Sequence, residues 1–148
     1  MTGFDERQTE AIAATGNVVV SAGAGSGKTR VLTERYVRLV AEGEAPVRSI
    51  LTLTFTRKAA AEMHERIYRR LLERAEEPAV AAELEHFDTA QISTLDSFCA
   101  QIVRNAGREY GIPPDFRLDE EENRELAEST ALEFLLEHQD DPILSRFV

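Results

Sequence analysis

Eight consecutive residues, Ala22-Gly23-Ala24-Gly25-Ser26-Gly27-Lys28-Thr29, constrain this chain more than any other feature it has. They follow three valines, Val18 to Val20, and lead into a segment whose apolar residues Val31, Leu32, Tyr36, Leu39 and Val40 recur at helical spacing. A continuous β-branched run suits a strand buried on both faces, as in parallel sheets. A Gly-rich turn joining such a strand to an amphipathic helix is the Walker A arrangement, here with Ala22 in place of the first glycine. Glycines at 23, 25 and 27 let successive backbone N–H groups turn inward, in conformations closed to residues with a Cβ. The helix starting near Gly27 adds its dipole and unpaired N–H groups to the same anion site. Lys28 brings a full positive charge to the β/γ-phosphates, and the Thr29 hydroxyl suits Mg²⁺. The alternative, a turn that merely connects strand to helix, fits this context poorly. The motif implies a nucleoside triphosphate and says nothing about the task it drives.

The rest of the chain repeats the strand–helix alternation. Asp5–Ala14 reads as a short helix broken by Gly16-Asn17, and Gly43 and Pro46 close the helix after the loop. Ser49–Phe55 is a second expected strand, followed by a helix from Ala59 to about Glu76 with Met63, Ile67 and Leu71 in steps of four. A helical piece is expected over Ala79–Phe87, a third strand over Ala90–Thr94, and a helix capped by Asp96 that runs to about Tyr110. Gly111-Ile112-Pro113-Pro114 stops it, and an acidic helix over Asp119–His138 follows until Asp140-Asp141-Pro142. The expected class is α/β: an open parallel sheet flanked by helices. The Pro-Pro step is the best internal boundary.

Composition narrows the setting. At 148 residues, 43% hydrophobic and 30% charged, the chain has the make-up of a soluble globular protein with a core. No run is long and apolar enough for a membrane span, and no secretory leader is visible at the N-terminus. The single cysteine, Cys99, reads as core, and His64, His86 and His138 as isolated surface residues. A reducing, cytoplasmic setting is the default. The net charge of −10 argues against a nucleic-acid binder at first sight. Yet residues 1–74 carry 12 Lys/Arg against 9 Asp/Glu, and residues 75–148 carry 5 against 18. The motif-bearing half is mildly basic and the tail strongly acidic.

Longer segments sharpen the picture. G-F-D-E-R-Q-T-E-A-I precedes the first expected strand, S-A-G-A-G-S-G-K-T-R-V-L-T-E-R follows it, and L-T-F-T-R-K-A-A-A-E-M-H-E-R-I lies on the second. Together they resemble successive motifs of the UvrD/Rep-like superfamily-one DNA helicases. I-S-T-L-D-S-F-C-A-Q-I-V-R and P-P-D-F-R-L resemble the RecB/AddA branch, the motors of helicase–nuclease repair complexes. The resemblance covers roughly residues 4–118. It implies a P-loop NTPase (RecA-like) fold, with residues 1–112 as the N-terminal part of a first motor domain and 113–148 as the start of an α-helical inserted subdomain. It also implies ATP and Mg²⁺ as cofactors and single-stranded DNA as partner, with 3′-to-5′ movement.

Residue by residue, the resemblance makes Lys28 and Thr29 catalytic, with Thr29 on Mg²⁺, and the loop from Ala22 through Gly23, Ala24, Gly25, Ser26 and Gly27 the phosphate cradle. It makes Gln8 the reader of the adenine edge, where an amide can donate and accept at once. It places Arg30 beside the nucleotide, where a surface cation is an equal reading. It makes Thr54, Phe55, Thr56 and Arg57 contacts to single-stranded DNA, although relatives usually have Asn at position 57. Phe55 either stacks on a base or packs in the sheet. Thr94 and Ser97 are further DNA candidates, whereas an acid at 96 repels phosphate. Lys58, Arg66, Arg69 and Arg70 are interleaved with acids and read as a solvated face.

Hydrolysis in this class also needs an acidic pair at the end of a buried strand and arginines on the transferring phosphate. Phe134-Leu135-Leu136-Glu137 is the nearest match and lies inside a helical pattern. The expectation is therefore a truncated chain, inactive alone, whose partners include the remainder of the helicase and a nuclease partner. Two other readings stay open: a different P-loop ATPase, and a degenerate nucleotide-binding scaffold.

Overall fold

The computed structural model describes residues 3–117 and 120–138. Its elements run in the order α1 (Glu6–Ala13), α2 (Lys28–Ala41), β1 (Leu51–Thr54), α3 (Arg57–Leu72), α4 (Pro78–Leu84), β2 (Gln91–Thr94), α5 (Leu95–Ala106) and α6 (Glu120–Glu137), with short 3₁₀ turns between some of them. The helices fall close to the sequence pattern. Pro78 opens α4 at its first position, where the missing N–H costs nothing. Asp119 and the Asp140-Asp141-Pro142 break lie outside the described residues.

The chain divides into two compact units, residues 1–101 and 102–148. In the first, β1 and β2 pair in parallel with Leu51 opposite Gln91 and Thr54 opposite Thr94. Tyr36, Val37 and Val40 of α2 meet Met63, Ile67 and Leu71 of α3, with Val47, Val80 and Phe87 closing the cluster. Ile92 packs against it, so the helices cover that sheet face. The other face carries Leu51 and Leu53, 42% and 36% exposed. An ion cluster ties α2 to α3: Arg70 bonds Glu34 at 2.7 Å and also pairs with Glu73.

Two expectations need correction here. Val18–Val20 forms no strand: the segment is unpaired, with Val19 96% exposed and its neighbours near half. A strand exists only through ladder partners, and the two-stranded sheet places none beside this run. The mixed α/β class holds, with a small parallel sheet rather than a full one. The apolar face of α2 is also displaced. Thr33, Tyr36, Val37 and Val40 are buried, while Leu32 is exposed and Val31 half-buried.

In the second unit, Gly111 adopts φ +75° to end the 3₁₀ turn Gly107–Tyr110. A Cβ on Gly107 would sit 3.1 Å from Ile112, and the Arg104 guanidinium lies 5.2 Å over the Phe116 ring. On α6 the side chains of Leu126, Leu132, Phe134, Leu135 and Leu136 are all exposed. Among the described residues no helix is long and apolar enough to cross a membrane.

Candidate functional site

The phosphate-loop residues sit where α1, the extended Val18–Ala22 segment and the start of α2 converge around a cleft of about 490 Å³. Two glycines make the turn. Gly25 has φ +77° and Gly27 φ +80°, both in the left-handed region that a Cβ disfavours. Gly23 has no such φ, and a Cβ there would meet nothing within 4 Å, so the conformational need expected at 23 is absent from this geometry. Gly27 has a second reason to lack a side chain: its Cβ would lie 3.3 Å from Gln8 Nε2.

The two helices that meet here begin differently. α1 closes its own N-terminus with a capping box: the Gln8 N–H donates to Asp5 Oδ1 at 2.8 Å, and the Asp5 N–H to Gln8 Oε1 at 3.1 Å. Glu6 adds an acid to that first turn. α2 begins after Gly27 with no side-chain cap and no acid in its first turn, only Lys28, Thr29 and Arg30. Its leading N–H groups and dipole are left for an outside anion. Lys28 Nζ donates to the carbonyls of Ala22 and Gly23, at 2.8 and 2.7 Å. These are neutral acceptors, so no carboxylate competes with a phosphate for the ammonium. Ala24 and Ser26 complete the exposed turn, and Gln8 Nε2 donates to the Ser26 carbonyl at 3.1 Å. The residues therefore fit a triphosphate, and the exposed Thr29 fits a hydrated divalent cation.

Arg30 turns elsewhere. Its guanidinium lies 4.1 Å over the Phe4 ring, beside a second cleft of about 370 Å³ with Arg66, Arg69 and Arg70. Arg66 and Arg69 pair with Glu62 and Glu65 one turn away, as a solvated face would.

The second group of candidates gathers at the C-terminal ends of the paired strands. Thr54 and Thr94 are register partners, so the two motifs expected on DNA are brought side by side. Phe55, next after β1, is 92% exposed. Thr56 caps α3 by accepting from the Ala59 N–H at 3.1 Å, and its carbonyl accepts from the Thr54 hydroxyl. Arg57 opens that helix, exposed. Thr94, 6% exposed, accepts from the Ser97 N–H and donates to the Ser97 hydroxyl at 2.8 Å. It caps α5, the role sequence reasoning gave to Asp96, which lies exposed within the first turn. Ser97 is the exposed member of the pair. Cys99 is exposed rather than core, whereas His64, His86 and His138 are exposed as expected, the His64 ring lying 4.8 Å from that of Phe87.

Sequence reasoning missed Arg35 and Arg38. The Arg35 Nη1 donates to the carbonyls of Ala11, Ile12 and Ala14, and Arg38 Nε donates to that of Ile12. Arg38 also holds the Glu44 carboxyl below its usual range through a direct hydrogen bond. The only sequence signal was a helix with no basic residue in its own last turn. Among the described residues no group of three His, Cys, Asp or Glu could hold a metal ion.

The profile of the UvrD/REP helicase N-terminal domain matches residues 4–146. The chain is 42% identical over 138 residues to an ATP-dependent helicase/nuclease subunit of Lactobacillus gasseri, covering 89% of this chain and 11% of that protein. Proteins of the same name from Acetivibrio thermocellus and Lachnoclostridium phytofermentans are each 39% identical, over 93% and 83% of this chain. The chain spans 9–12% of the length of these curated relatives. With its phosphate loop and paired strand ends lying inside the matched residues, the chain belongs to the UvrD/REP helicase N-terminal domain family.

Proposed function

We propose that this chain is the ATP-binding front end of a longer ATP-dependent DNA helicase, a 3′-to-5′ translocase on single-stranded DNA within a cytoplasmic helicase–nuclease repair complex. Residues 1–112 are the N-terminal part of its first motor domain, and 113–148 begin a helical insertion. The observation that carries this reading is the Lys28 ammonium held only by two loop carbonyls at the uncapped start of α2.

In this reading the phosphate oxygens of ATP take the place of the Ala22 and Gly23 carbonyls on Lys28. The N–H groups of the loop and of the first turn of α2 bind the same anion. Thr29 would hold Mg²⁺, which supplies charge neutralisation at the phosphates when bound. Gln8 keeps one N–H and one lone pair beyond the bonds it makes, which match the N7 acceptor and N6 donor of adenine. Phe55 offers a sequence-tolerant stacking surface, and Ser97, Thr56 and Arg57 offer phosphate contacts beside it. The Walker B acids and transition-state arginines come from the rest of the longer protein, so the 148-residue chain alone turns over negligibly.

The test is ATP hydrolysis by the full-length protein with and without single-stranded DNA. DNA stimulates the wild type, and Lys28→Ala lowers kcat by at least about a hundredfold. Hydrolysis that survives Lys28→Ala overturns the reading.

A further inference from the structure

A helix of eight residues is too short to persist by itself, so α1 must be fastened from outside. Its N-terminal end is fixed by the Asp5–Gln8 capping box and by the bond from Gln8 Nε2 to the Ser26 carbonyl. Its C-terminal end has neither a basic residue in its last turn nor a left-handed cap, since Ala14 sits at φ −57°, ψ 139°. The carbonyls of Ala11, Ile12 and Ala14 are taken instead by a residue two turns into α2. Arg35 Nη1 donates to them at 3.1, 3.2 and 2.5 Å. One nitrogen with two hydrogens serving three acceptors shares at least one of them, so the guanidinium is held by the whole helix end. Arg38 Nε reinforces the Ile12 bond, but its other nitrogens are drawn to Glu42 and Glu44. Among the described residues Arg35 forms no hydrogen-bonded side-chain pair, and it lines the same cleft as Gln8, Ser26 and Lys28.

We propose that Arg35 is a positioning residue for nucleobase selection: by closing the C-terminal end of α1 it holds Gln8, at the other end, in register with the phosphate loop. The inference rests on the reading of this cleft as an ATP site. Gln8 spends one lone pair on the Asp5 N–H and one hydrogen on the Ser26 carbonyl, so its remaining pair points in a fixed direction. Adenine offers a donor and an acceptor to that pair. Guanine offers two acceptors along the same edge and leaves the amide oxygen facing O6. Losing the fixed direction therefore weakens ATP and leaves GTP nearly as it was. Simple loss of folding would weaken both.

The experiment uses the full-length protein with single-stranded DNA and compares ATP with GTP hydrolysis in Arg35→Ala, Arg35→Lys, Gln8→Ala and the Arg35→Ala/Gln8→Ala double variant. Arg35→Ala is expected to raise KM for ATP about tenfold, the factor a lost hydrogen bond gives, with KM for GTP within about twofold. Arg35→Lys, which restores donors near the carbonyls, is expected to recover most of the ATP affinity. Adding Arg35→Ala to Gln8→Ala should change little further, because the first residue acts through the second. Circular dichroism reports folding of each variant, and if Arg35→Ala does not fold, the ATP-selective KM shift is read from Arg35→Lys at smaller amplitude. Equal losses for ATP and GTP, or effects of the two substitutions that multiply, overturn the role of Arg35. Lys28→Ala separates the two claims. Loss of hydrolysis in it, beside a wild-type KM for ATP in Arg35→Ala, sinks the positioning role alone, whereas hydrolysis that survives Lys28→Ala sinks the ATP site beneath it.

Discussion

Gly27 shows how much one residue can be asked to do. It carries φ +80°, caps α2 without a side chain, and leaves room for the Gln8 amide 3.3 Å from where a Cβ would stand. Gly27→Ala should therefore destabilise the protein by about 1–2 kcal/mol, the cost of a left-handed residue with a Cβ, read from urea unfolding. It should also raise KM for ATP, because the methyl group displaces Gln8 from Ser26. Gly23→Ala, at a position with ordinary φ and open space, should leave stability within about 0.5 kcal/mol. Motif reading gave Gly23, Gly25 and Gly27 one reason, and the backbone angles set Gly23 apart from the other two. The same limit applies to Thr94 and Asp96: both residue types cap helices, and which one does depends on where the first turn starts, a boundary that periodicity leaves loose by a residue or two. Arg35 was invisible for another reason, since its partners are carbonyls, which every residue has.

Elements were far more legible, because α3 buries a periodic face of Ala60, Met63, Ile67 and Leu71 and its spacing follows from that burial. Ile67 is fully buried between α2 and the strands' helix side, so Ile67→Ala should cost about 2–5 kcal/mol by the same unfolding measurement. Tyr36 of α2 gives this interface a pH signature. Burial first, and the Glu83 carboxylate second, push its phenol up to about 12 from an ordinary value of 10.0. The neutral phenol is the form the fold prefers. The contribution is thus complete below pH 10 and lost as pH rises from 10 towards 12, where the unfolded chain ionises first. That loss amounts to roughly 2 kcal/mol, and Tyr36→Phe should flatten the stability curve over this window. Titration of phenol absorbance should show an ionisation near pH 12 that is absent from Tyr36→Phe. The face of α2 was misjudged in part because the helix has apolar residues on two sides. Val31 and Leu32 line the cleft beside the Gly-rich loop with Val20, and periodicity cannot say which stripe meets which neighbour.

On the scale of the whole molecule the sequence and the structure disagree over Val18–Val20, and the disagreement is informative. Three β-branched residues in a row specify a strand covered on both faces, yet Val19 is 96% exposed and the segment has no ladder partner. Leu51 and Leu53 likewise face away from the helices on a sheet that has two strands among the described residues. Parallel sheets this small and this open are not stable arrangements by themselves, and bare apolar edges invite association. Both observations are satisfied if the longer protein proposed above supplies strands that cover this side, a requirement that local patterning detects. Val19→Ser tests it in two contexts. In the 148-residue chain the substitution should change stability by less than about 0.5 kcal/mol, because the side chain is already in water. In the full-length protein it should cost about 2 kcal/mol or more, the transfer of a buried valine plus the burial of a hydroxyl. Equal, small effects in both would mean that no strand ever covers Val19, and the parallel sheet inferred from its sequence would have no place in the proposed motor.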